Sequence, residues 1–390
     1  MTLSYKAVEE SLIYPLPSRA WLDVSVKALR CNATELQRTT GLPLIPMVKA
    51  NAYGVGAAGV VAALEPLEPL AYGVASVDEG VMLRELGIER VIIVFTPTLE
   101  DDYERACAAR LTLALGHSDA IRSWTSGAGR NGAPYHLAID TGMNRAGVAW
   151  RDVACLRDVV RESPPAAAFT HFHSAEVEDG SADEQVRRFF AAIDELGVDV
   201  PFLHADNSAA AARGVEGRVR WGAIRPGVFL YGVGSRFGVV AQPVVSLRAR
   251  VVDMRWVEAG DTVSYDATYV APRRQRIATA AVGYGDGYPR SISDHAVATV
   301  NGAIVRQRGL VTMDMTMFDV TDAECAIGDV VTLIGSTAGP GAERVSAAIE
   351  PEREGEFDLS VEGVARLAGM SPYELLTGLA PRLDRRFNTN

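Results

Sequence analysis

Chemically reactive side chains follow several short apolar runs in the N-terminal part of the chain. Lys49 comes directly after LIPMV, and the others are the segment 140–145 after YHLAI, His171 and His173 after AAAFT, the segment 204–208 after PFL, and the segment 225–227 after WGAI. A lysine at the end of an apolar strand can act as a nucleophilic amine if its pKa falls well below its usual value of about 10.4. A solvated loop position is the commoner fate of a lysine, so the surroundings of Lys49 decide between the two.

The segments that would carry these residues alternate between strand-like and helix-like patterns. Between residues 20 and 233, apolar runs such as AWLDV (20–24), LIPMV (44–48) and AIRPG (223–227) are separated by segments with helical periodicity, among them 26–39, 78–86 and 182–196. Strand, helix and strand at this spacing predict a parallel sheet, and about eight such repeats favour a closed (β/α)8 TIM-like barrel over an open sheet. Barrel enzymes place their active sites at the carboxyl ends of the strands, where these polar residues stand.

The pattern changes after residue 244, where strand-like runs replace the alternation. VSLRARVVDMRWV, DTVSYDATYV and GDVVTLIG predict strands, with turns at sites such as Asn301-Gly302. The predicted fold class is therefore α/β, with an N-terminal barrel over 17–246 followed by a C-terminal all-β domain over 247–385. We expect residues 1–16 to pack with the β domain, and the stretch 338–357, rich in Gly, Pro and charge, to form an exposed loop.

Composition excludes several classes of protein. The formal net charge is −11 and no basic run appears, which argues against a nucleic-acid partner. No apolar stretch reaches membrane-spanning length, and Glu9 and Glu10 interrupt any signal peptide, so we expect a cytoplasmic protein. The four cysteines lie far apart without CxxC spacing, which predicts neither a disulfide framework nor a metal site.

The polar segments resemble the motifs of the alanine racemase family, a fold-type III group of pyridoxal-phosphate enzymes built from a barrel and a β domain. The resemblance covers nearly the whole chain in the family's order, through MVKANAYGVG (47–56), DTGMNRAGV (140–148), FTHF (169–172), HADNSAAA (204–211), IRPGVFLYG (224–232), VSYDATY (263–269), VGYGDGYPR (282–290), TMDM (312–315) and SPYELLTGLAPR (371–382). It implies a racemase that interconverts L- and D-alanine for peptidoglycan synthesis, in a homodimer with shared active sites.

The same resemblance assigns the residues around pyridoxal 5'-phosphate. Lys49 would hold the cofactor as a Schiff base and later act as one catalytic base. Arg225 resembles the arginine that hydrogen-bonds the pyridine nitrogen, and a guanidinium there keeps that nitrogen unprotonated. The phosphate would be bound by neutral donors, and the remaining residues implied at the cofactor are Tyr53, His171, Asn207, Ser208, Gly227, Val228 and Tyr373.

Racemisation needs a second base on the opposite face of the substrate, and the resemblance implies Tyr265 of the partner subunit. A tyrosine has a pKa near 10, so a hydrogen-bond chain through His171 and Arg225 would have to lower it. On composition alone Tyr265 would be an ordinary strand aromatic. The resemblance also implies that Arg145 faces the substrate carboxylate or holds the cofactor's phenolic oxygen. The backbone N–H of Met313 would contact the carboxylate, and Tyr284 of the other subunit would line the passage by which substrate enters.

The chain departs from the family pattern at three positions. Many members carry a carbamylated lysine seven residues before the equivalent of Arg145, where this chain has Ala138. Thr312 replaces a common cysteine, and Val55 replaces the usual histidine. What orients Arg145 is therefore open, and Asp314, which follows Met313, has no assigned role.

Other functions remain to be weighed against an alanine racemase. A broad-specificity racemase for serine, lysine or arginine is the nearest alternative. A basic amino-acid decarboxylase shares the architecture but would lack the tyrosine of VSYDATY and would carry a reactive cysteine in a motif that ECAIGD, around Cys325, does not resemble. A cofactor-homeostasis protein would consist of the barrel only, which the β domain argues against.

Overall fold

The computed structural model describes residues 18–214, 220–234, 237–335 and 358–389. The expectations for residues 1–16 and 338–357 lie outside the described residues. The N-terminal strands are β1 (Ala20–Ser25), β2 (Ala71–Val74), β3 (Val91–Val94), β4 (Thr112–Leu115), β5 (Tyr135–Asp140), β6 (Val148–Ala149), β7 (Ala167–Phe169) and β8 (Leu203–His204).

Strands β2 to β8 form a parallel sheet in the order β2-β3-β4-β5-β7-β8, with β6 beside β5. Isolated parallel bridges extend this sheet at both edges: Met47 pairs with Gly73 of β2, Ala223 pairs with His204 of β8, and Leu44 pairs with Ile224. The segments 44–47 and 223–224 therefore connect one edge of the sheet to the other. The predicted parallel α/β arrangement is confirmed.

Helices follow most of these strands. They are α1 (Val26–Thr40), α2 (Lys49–Tyr53), α3 (Ala57–Leu64), α4 (Val77–Glu85), α5 (Tyr103–Ala108), α6 (Ser118–Ser126), α7 (Arg157–Glu162), α8 (Ser181–Leu196) and α9 (Ser208–Arg213). The predicted helical segments 26–39, 78–86 and 182–196 correspond to α1, α4 and α8. Local chemistry explains the ends of α1: the Ser25 hydroxyl accepts from the Ala28 N–H, and Gly41 closes the helix at a φ of 68°.

In its described residues, the C-terminal unit is all-β apart from two short α-helices and a few 3-10 turns. Its elements are β9 (Val245–Val257), β10 (Thr262–Val263), β11 (Tyr269–Val270), β12 (Gln275–Ala280), β13 (Val297–Val300), β14 (Ala303–Gln307), β15 (Thr316–Asp319), β16 (Val330–Ile334), α10 (Val361–Ala368), α11 (Pro372–Thr377) and β17 (Asp384–Asn388). The antiparallel pairings β9-β12-β15-β14-β13-β16-β9 close into a barrel. The predicted turn at Asn301-Gly302 joins β13 to β14 with both residues at positive φ, as a tight hairpin requires.

The prediction that AWLDV (20–24) opens the N-terminal barrel is wrong. The strand β1 pairs antiparallel with β9 and parallel with β17, so it belongs to the sheet of the C-terminal unit. Alternation of apolar residues shows that a strand has a buried face, but it does not identify the strand that lies beside it. Among the described residues, no helix is long and apolar enough to cross a bilayer.

Candidate active site

A cavity of about 490 Å³ opens at the carboxyl ends of the parallel strands. Its wall contains Arg145 and every residue that the sequence assigned to the cofactor. The cofactor residues are Lys49, Tyr53, His171, Asn207, Ser208, Arg225, Gly227, Val228 and Tyr373. These residues come from segments that are up to 324 positions apart (49 to 373), and the parallel sheet brings them to one edge.

Lys49 begins α2, which is a left-handed turn. Ala50, Asn51 and Ala52 have φ values of 52°, 52° and 53°, a conformation that L-residues adopt only at a cost. The carboxylate of Glu79 compensates by accepting from the N–H of Ala50 at 2.6 Å. Burial lowers the pKa of Lys49, the charges of Arg145 and Arg225 lower it further, and Glu79 opposes them. The amine is therefore easier to deprotonate than that of a solvated lysine.

Arg225 is buried beneath the cavity and its hydrogen bonds are directional. Nη2 donates to the carbonyls of Thr170 and Ala205 at 2.8 and 2.9 Å, and Nη1 donates to Nδ1 of His204 at 2.9 Å. Among the described residues, Nε has no acceptor, so this N–H remains available to a ligand in the cavity. Burial lowers the pKa of Arg225 to about 10, against the opposing charge of Asp206. The guanidinium therefore stays charged at neutral pH.

Arg225 determines, directly or through a neighbouring ring, which nitrogen carries the proton in three histidines. Because a guanidinium can only donate, Nδ1 of His204 must accept, and its proton lies on Nε2, which donates to Nδ1 of His136 at 3.0 Å. Nδ1 of His171 lies 3.3 Å from Nη2 and accepts a longer, shared hydrogen bond, because the two N–H groups of Nη2 also donate to the Thr170 and Ala205 carbonyls. Burial and then the charge of Arg225 lower the pKa of His136 and of His171 to about 3, and that of His204 falls well below its usual value for the same reasons. All three imidazoles are neutral at physiological pH.

The opposite end of the cavity presents neutral hydrogen-bonding groups. The Ser208 hydroxyl accepts from the N–H of Gly227 at 2.9 Å, and Asn207 caps α9 by accepting from the N–H of Ala210. A Cβ placed on Gly227 would lie 2.3 Å from the Tyr53 hydroxyl, so only glycine permits this close approach. The rings of Tyr53 and Tyr373 stand 6.1 Å apart, and burial raises the pKa of both hydroxyls, which therefore remain donors.

This donor set fits pyridoxal 5'-phosphate. An amine with a lowered pKa suits an aldehyde, hydroxyl and N–H groups suit a phosphate, and a charged guanidinium with a free Nε–H suits a pyridine nitrogen. These three groups occur in one cavity on the rim of a parallel sheet. Among the described residues, no group of His, Cys, Asp and Glu side chains could hold a metal ion.

Comparison with known proteins covers both units of the chain. A family model described as alanine racemase, N-terminal domain, matches residues 24–235, and one described as alanine racemase, C-terminal domain, matches residues 244–387. The chain is 34% identical to the alanine racemase of Citrifermentans bemidjiense over 94% of this chain and 97% of that protein. It is 32% identical to that of Carboxydothermus hydrogenoformans, over 94% of this chain and 98% of the relative. The chain belongs to the alanine racemase family.

Solved structures of alanine racemases have the same fold. The structure from Bacillus anthracis with bound L-Ala-P aligns with a TM-score of 0.83 and 28% identity, over 97% of both chains. The structure from the D-cycloserine producer Streptomyces lavendulae aligns with a TM-score of 0.83 and 26% identity, over 96% of this chain and 98% of that one. The similarity thus extends through both the parallel sheet and the antiparallel barrel.

Ala138, where the resemblance implies a departure from the family pattern, lines a second cavity, of about 640 Å³, that adjoins the first. Lys49, Arg145 and His171 line both cavities, and Ala138 lies in the wall of the larger one. Among the described residues, none forms a hydrogen bond or an ion pair with Arg145, whose side chain is exposed. Whatever orients Arg145 in this member of the alanine racemase family is not a carbamate at position 138.

Three predicted residues do not line the cavity around Lys49. Tyr265, Met313 and Tyr284 belong to the β domain, with exposed fractions of 70%, 54% and 44%. The segments that carry them are neighbours, since the N–H of Tyr284 donates to the Thr312 carbonyl and the Ser264 hydroxyl donates to the Leu310 carbonyl. That they complete the active site of a partner subunit stays a prediction.

The sequence assignment missed Glu79 and His136, and it gave no role to His204, although it placed that histidine in the segment 204–208. Glu79 supports the turn after Lys49, and both histidines lie in the hydrogen-bond chain of Arg225. Strand periodicity could have located His136, because it lies two residues before Ala138 on β5 and so faces the same side of the sheet. Glu79 gave no comparable signal, because an acidic residue in the first turn of a helix is also an ordinary capping choice.

Proposed function

We propose that this chain interconverts L- and D-alanine with pyridoxal 5'-phosphate and thereby supplies D-alanine for peptidoglycan. The observation that carries the proposal is the buried, charged Arg225 beside Lys49, in a cavity whose far end offers neutral donors. The match of both domains to the alanine racemase family supports the same substrate.

The cofactor, when bound, withdraws electrons from the substrate's Cα so that its hydrogen can leave as a proton. Tyr53, Ser208, Tyr373 and the N–H groups of Gly227 and Val228 bind the phosphate, and Asn207 orients Ser208 by capping α9. The amine of Lys49 would hold the aldehyde carbon of the cofactor. Because its pKa is lowered, this amine can also be neutral, and it would move a proton at one face of the substrate's Cα.

Arg225 restrains the electron withdrawal. Because its guanidinium is charged and can only donate, Arg225 would keep a pyridine nitrogen beside it unprotonated, and the electron withdrawal that the cofactor supplies would then be weaker. Weak withdrawal favours prompt return of a proton to Cα over loss of the carboxylate. This supports racemisation rather than decarboxylation.

The second base in this proposal is Tyr265 of the partner subunit in a homodimer. His171 is neutral and accepts from Arg225 at Nδ1, so its Nε2–H can donate to the oxygen of a tyrosinate and lower the pKa of that tyrosine. Arg145 and the Met313 N–H hold the carboxylate of the substrate, and Tyr284 lines the passage by which it enters.

We also propose a closed (β/α)8 barrel for the N-terminal domain, ending near residue 246, and a β domain over 247–385 to which β1 is added. The bridges through the segments 44–47 and 223–224 support closure, because they connect β2 to β8. In such a barrel, the segment before Lys49 and the segment before Arg225 are neighbours, because Leu44 pairs with Ile224.

A broad-specificity racemase is the second candidate function. The cavity of about 640 Å³ beside Ala138 favours it, because that space adjoins Lys49 and could receive a side chain larger than a methyl group. Serine, lysine and arginine are the substrates that would distinguish it from an alanine racemase.

The test is incubation of the cofactor-loaded protein with each L-amino acid in D₂O, with α-hydrogen exchange followed by NMR and chirality by chiral chromatography. L-Alanine should exchange its α-hydrogen and approach equal amounts of both enantiomers. Comparable turnover of serine, lysine or arginine would favour broad specificity, and release of CO₂ without a D-product would contradict a racemase.

Lysine variants provide the matched control. The chain has three lysines, Lys6, Lys27 and Lys49, and Lys27 is exposed on α1. Lys49→Ala should abolish both exchange and the visible absorbance of the bound cofactor, whereas Lys27→Ala should retain both. Borohydride reduction followed by peptide mapping should find the cofactor on Lys49.

A further inference from the structure

The β domain contains a cluster of two arginines and two aspartates that no step above uses. Asp286 is fully buried, and its Oδ1 accepts from Nη2 of Arg19 and from Nε of Arg382, each at 2.7 Å. Its Oδ2 accepts from the N–H of Gly283 at 3.0 Å. A buried carboxylate with three charge-assisted or backbone partners is held in one geometry.

The same arginines also hold the loop that carries Met313. Nη2 of Arg382 donates to Oδ1 of Asp314 at 2.8 Å, and Nη1 of Arg19 lies 3.4 Å from the Asp314 carbonyl. We call Arg19, Asp286, Arg382 and Asp314 the β-domain clamp. The clamp joins a residue that precedes β1 to one that precedes β17, with the loop 312–315 between them.

The clamped loop is a tight turn. The N–H of Thr312 donates to the carbonyl of Met315 at 3.0 Å, and the hydroxyl of Thr312 accepts from the N–H of Met315 at 3.1 Å. A Cβ on Gly283 would lie 2.1 Å from the Thr312 carbonyl oxygen, so the turn packs directly against the GYGDGY segment. That segment also carries Tyr284.

Within the described part of the chain, two backbone donors of the turn, the N–H groups of Met313 and Asp314, have no acceptor. The Met313 carbonyl accepts from the N–H of Gly285 at 2.8 Å. The peptide unit that carries the Met313 N–H is held through its other end, because the Thr312 carbonyl accepts from the N–H of Tyr284 at 3.0 Å. A donor held in advance in one orientation loses little freedom when it binds an anionic group.

We propose that the β-domain clamp is a positioning device that presents the Met313 N–H and Tyr284 to the active site of the partner subunit. The inference rests on the proposed function, because it needs the shared active site of a homodimer. It assigns to Asp314 the role of anchoring the turn to Arg382, with no contact to substrate.

Arg382 is the residue to change, because its side chain is partly exposed and Asp286 would keep Arg19 as a partner. Arg382→Met should raise the KM for alanine about 10-fold or more, with a smaller effect on kcat and no loss of cofactor absorbance. Arg366→Met is the matched control, because Arg366 is an exposed arginine of the same domain whose carboxylate partner, Asp358, lies 3.8 Å away. It should behave like the wild type.

Heterodimers purified through two different affinity tags test whether the clamp acts on the active site of the partner subunit or on that of its own chain. In a heterodimer of Lys49→Ala with Arg382→Met, one site combines an intact Lys49 with an intact clamp from the other chain. This site should have the wild-type KM and give the dimer about half of the wild-type kcat. If the clamp served its own chain's site or only the fold, the heterodimer would show the raised KM, and the inference would be overturned.

A second heterodimer separates this inference from the proposed function. Lys49→Ala paired with Tyr265→Phe should also recover about half of the wild-type activity, because one site then has both bases. Recovery in this pair without recovery in the Arg382→Met pair would overturn the clamp alone. Failure in both pairs, with an active wild type, would overturn the shared site and the inference that rests on it.

Two further measurements do not depend on turnover. Hydrogen exchange of the backbone amides at 313–315 in the cofactor-free protein should be about 10-fold faster in Arg382→Met and unchanged in Arg366→Met. Arg382→Lys should restore the KM only in part, because one ammonium cannot donate to Asp286 and Asp314 from two separate atoms. Unchanged exchange in Arg382→Met would show that the clamp does not order the turn.

Discussion

Arg225 determines the protonation of the groups around it. Its guanidinium donates to His204, and His204 donates in turn to His136, so the chain of hydrogen bonds runs in one direction away from the cavity. Phe169 stacks against the His204 ring with centroids 5.2 Å apart and excludes water from this chain. The result is a guanidinium cation surrounded by neutral imidazoles. Because these imidazoles carry no charge, they do not neutralise the guanidinium, and its charge can act on a ligand.

The neutral histidines predict a pH dependence of stability. His136 has a pKa of about 3 in the folded protein against 6.5 as its ordinary value, so the unfolded chain binds more protons between these limits and stability falls as the pH drops below about 6.5. At pH 5, His136 alone lowers the free energy of unfolding by about 2 kcal/mol. Urea unfolding of the cofactor-free protein at fixed concentration, from about pH 7.5 to pH 5, measures this loss.

His136→Asn isolates that contribution. Its amide oxygen can replace Nδ1 as the acceptor for His204, but it does not titrate. The variant should therefore lose less stability than the wild type over the same pH range, by about 2 kcal/mol. An identical pH dependence in both proteins would mean that His136 is protonated equally in the folded and unfolded states.

At the scale of elements, the left-handed turn α2 connects the reactive lysine to the β domain. Gly54 ends this turn at a φ of 80°, and a Cβ there would lie 2.1 Å from the backbone oxygen of Leu376 in α11. The helix α11 also carries Tyr373 to the cavity. The contact at Gly54 therefore sets both the amine and one of the hydroxyl groups in place.

Gly54→Ala should destabilise the protein more than an equivalent change without a close neighbour. Gly87→Ala is the matched control, because Gly87 has a φ of 85° and nothing within 4 Å of an added Cβ. The control should lose about 1 kcal/mol from the backbone conformation alone. Gly54→Ala should lose about 2 kcal/mol more, because backbone atoms must move, and it should also bind the cofactor more weakly.

Urea unfolding and cofactor titration of the two variants check this prediction. Equal losses of stability in Gly54→Ala and Gly87→Ala would show that α11 is free to move away from the turn.

At the scale of the whole molecule, the two ends of the described chain meet in one sheet. The strand β1 lies between β9 and β17, and Arg19 and Arg382 of the β-domain clamp precede β1 and β17. Apolar side chains nearby are nonetheless exposed, among them Tyr265, Tyr284, Met313 and Met315. A face of this kind is typical of a surface that a second copy covers.

Activity should accordingly depend on protein concentration. Because Tyr265 and the Met313 N–H act across the dimer in our proposal, dilution below the dissociation constant should lower the specific activity in proportion to the fraction of dimer. Sedimentation velocity at the assay concentrations measures that fraction. Full specific activity in a sample that sediments as a monomer would rule out the shared site.

The sequence alone determined the order of the chemistry-bearing segments and most of the local structure. Apolar periodicity located α1, α4 and α8, and the turn residues Asn301 and Gly302 located the β13–β14 hairpin. The strand-end position of Lys49 and the nine-motif resemblance identified the family, and every residue that they assigned to the cofactor lines the cavity around Lys49. These features are local, because periodicity, capping and turn chemistry involve residues close together in the chain.

Only the tertiary structure decided which distant segments are neighbours. It assigned β1 to the C-terminal sheet, placed Glu79 beneath the turn after Lys49, aligned His204 and His136 behind Arg225, and brought Arg19 and Arg382 together on Asp286. Each of these contacts joins residues far apart in the chain. The apolar pattern of a strand specifies which face is buried but not which strand or loop lies beside it.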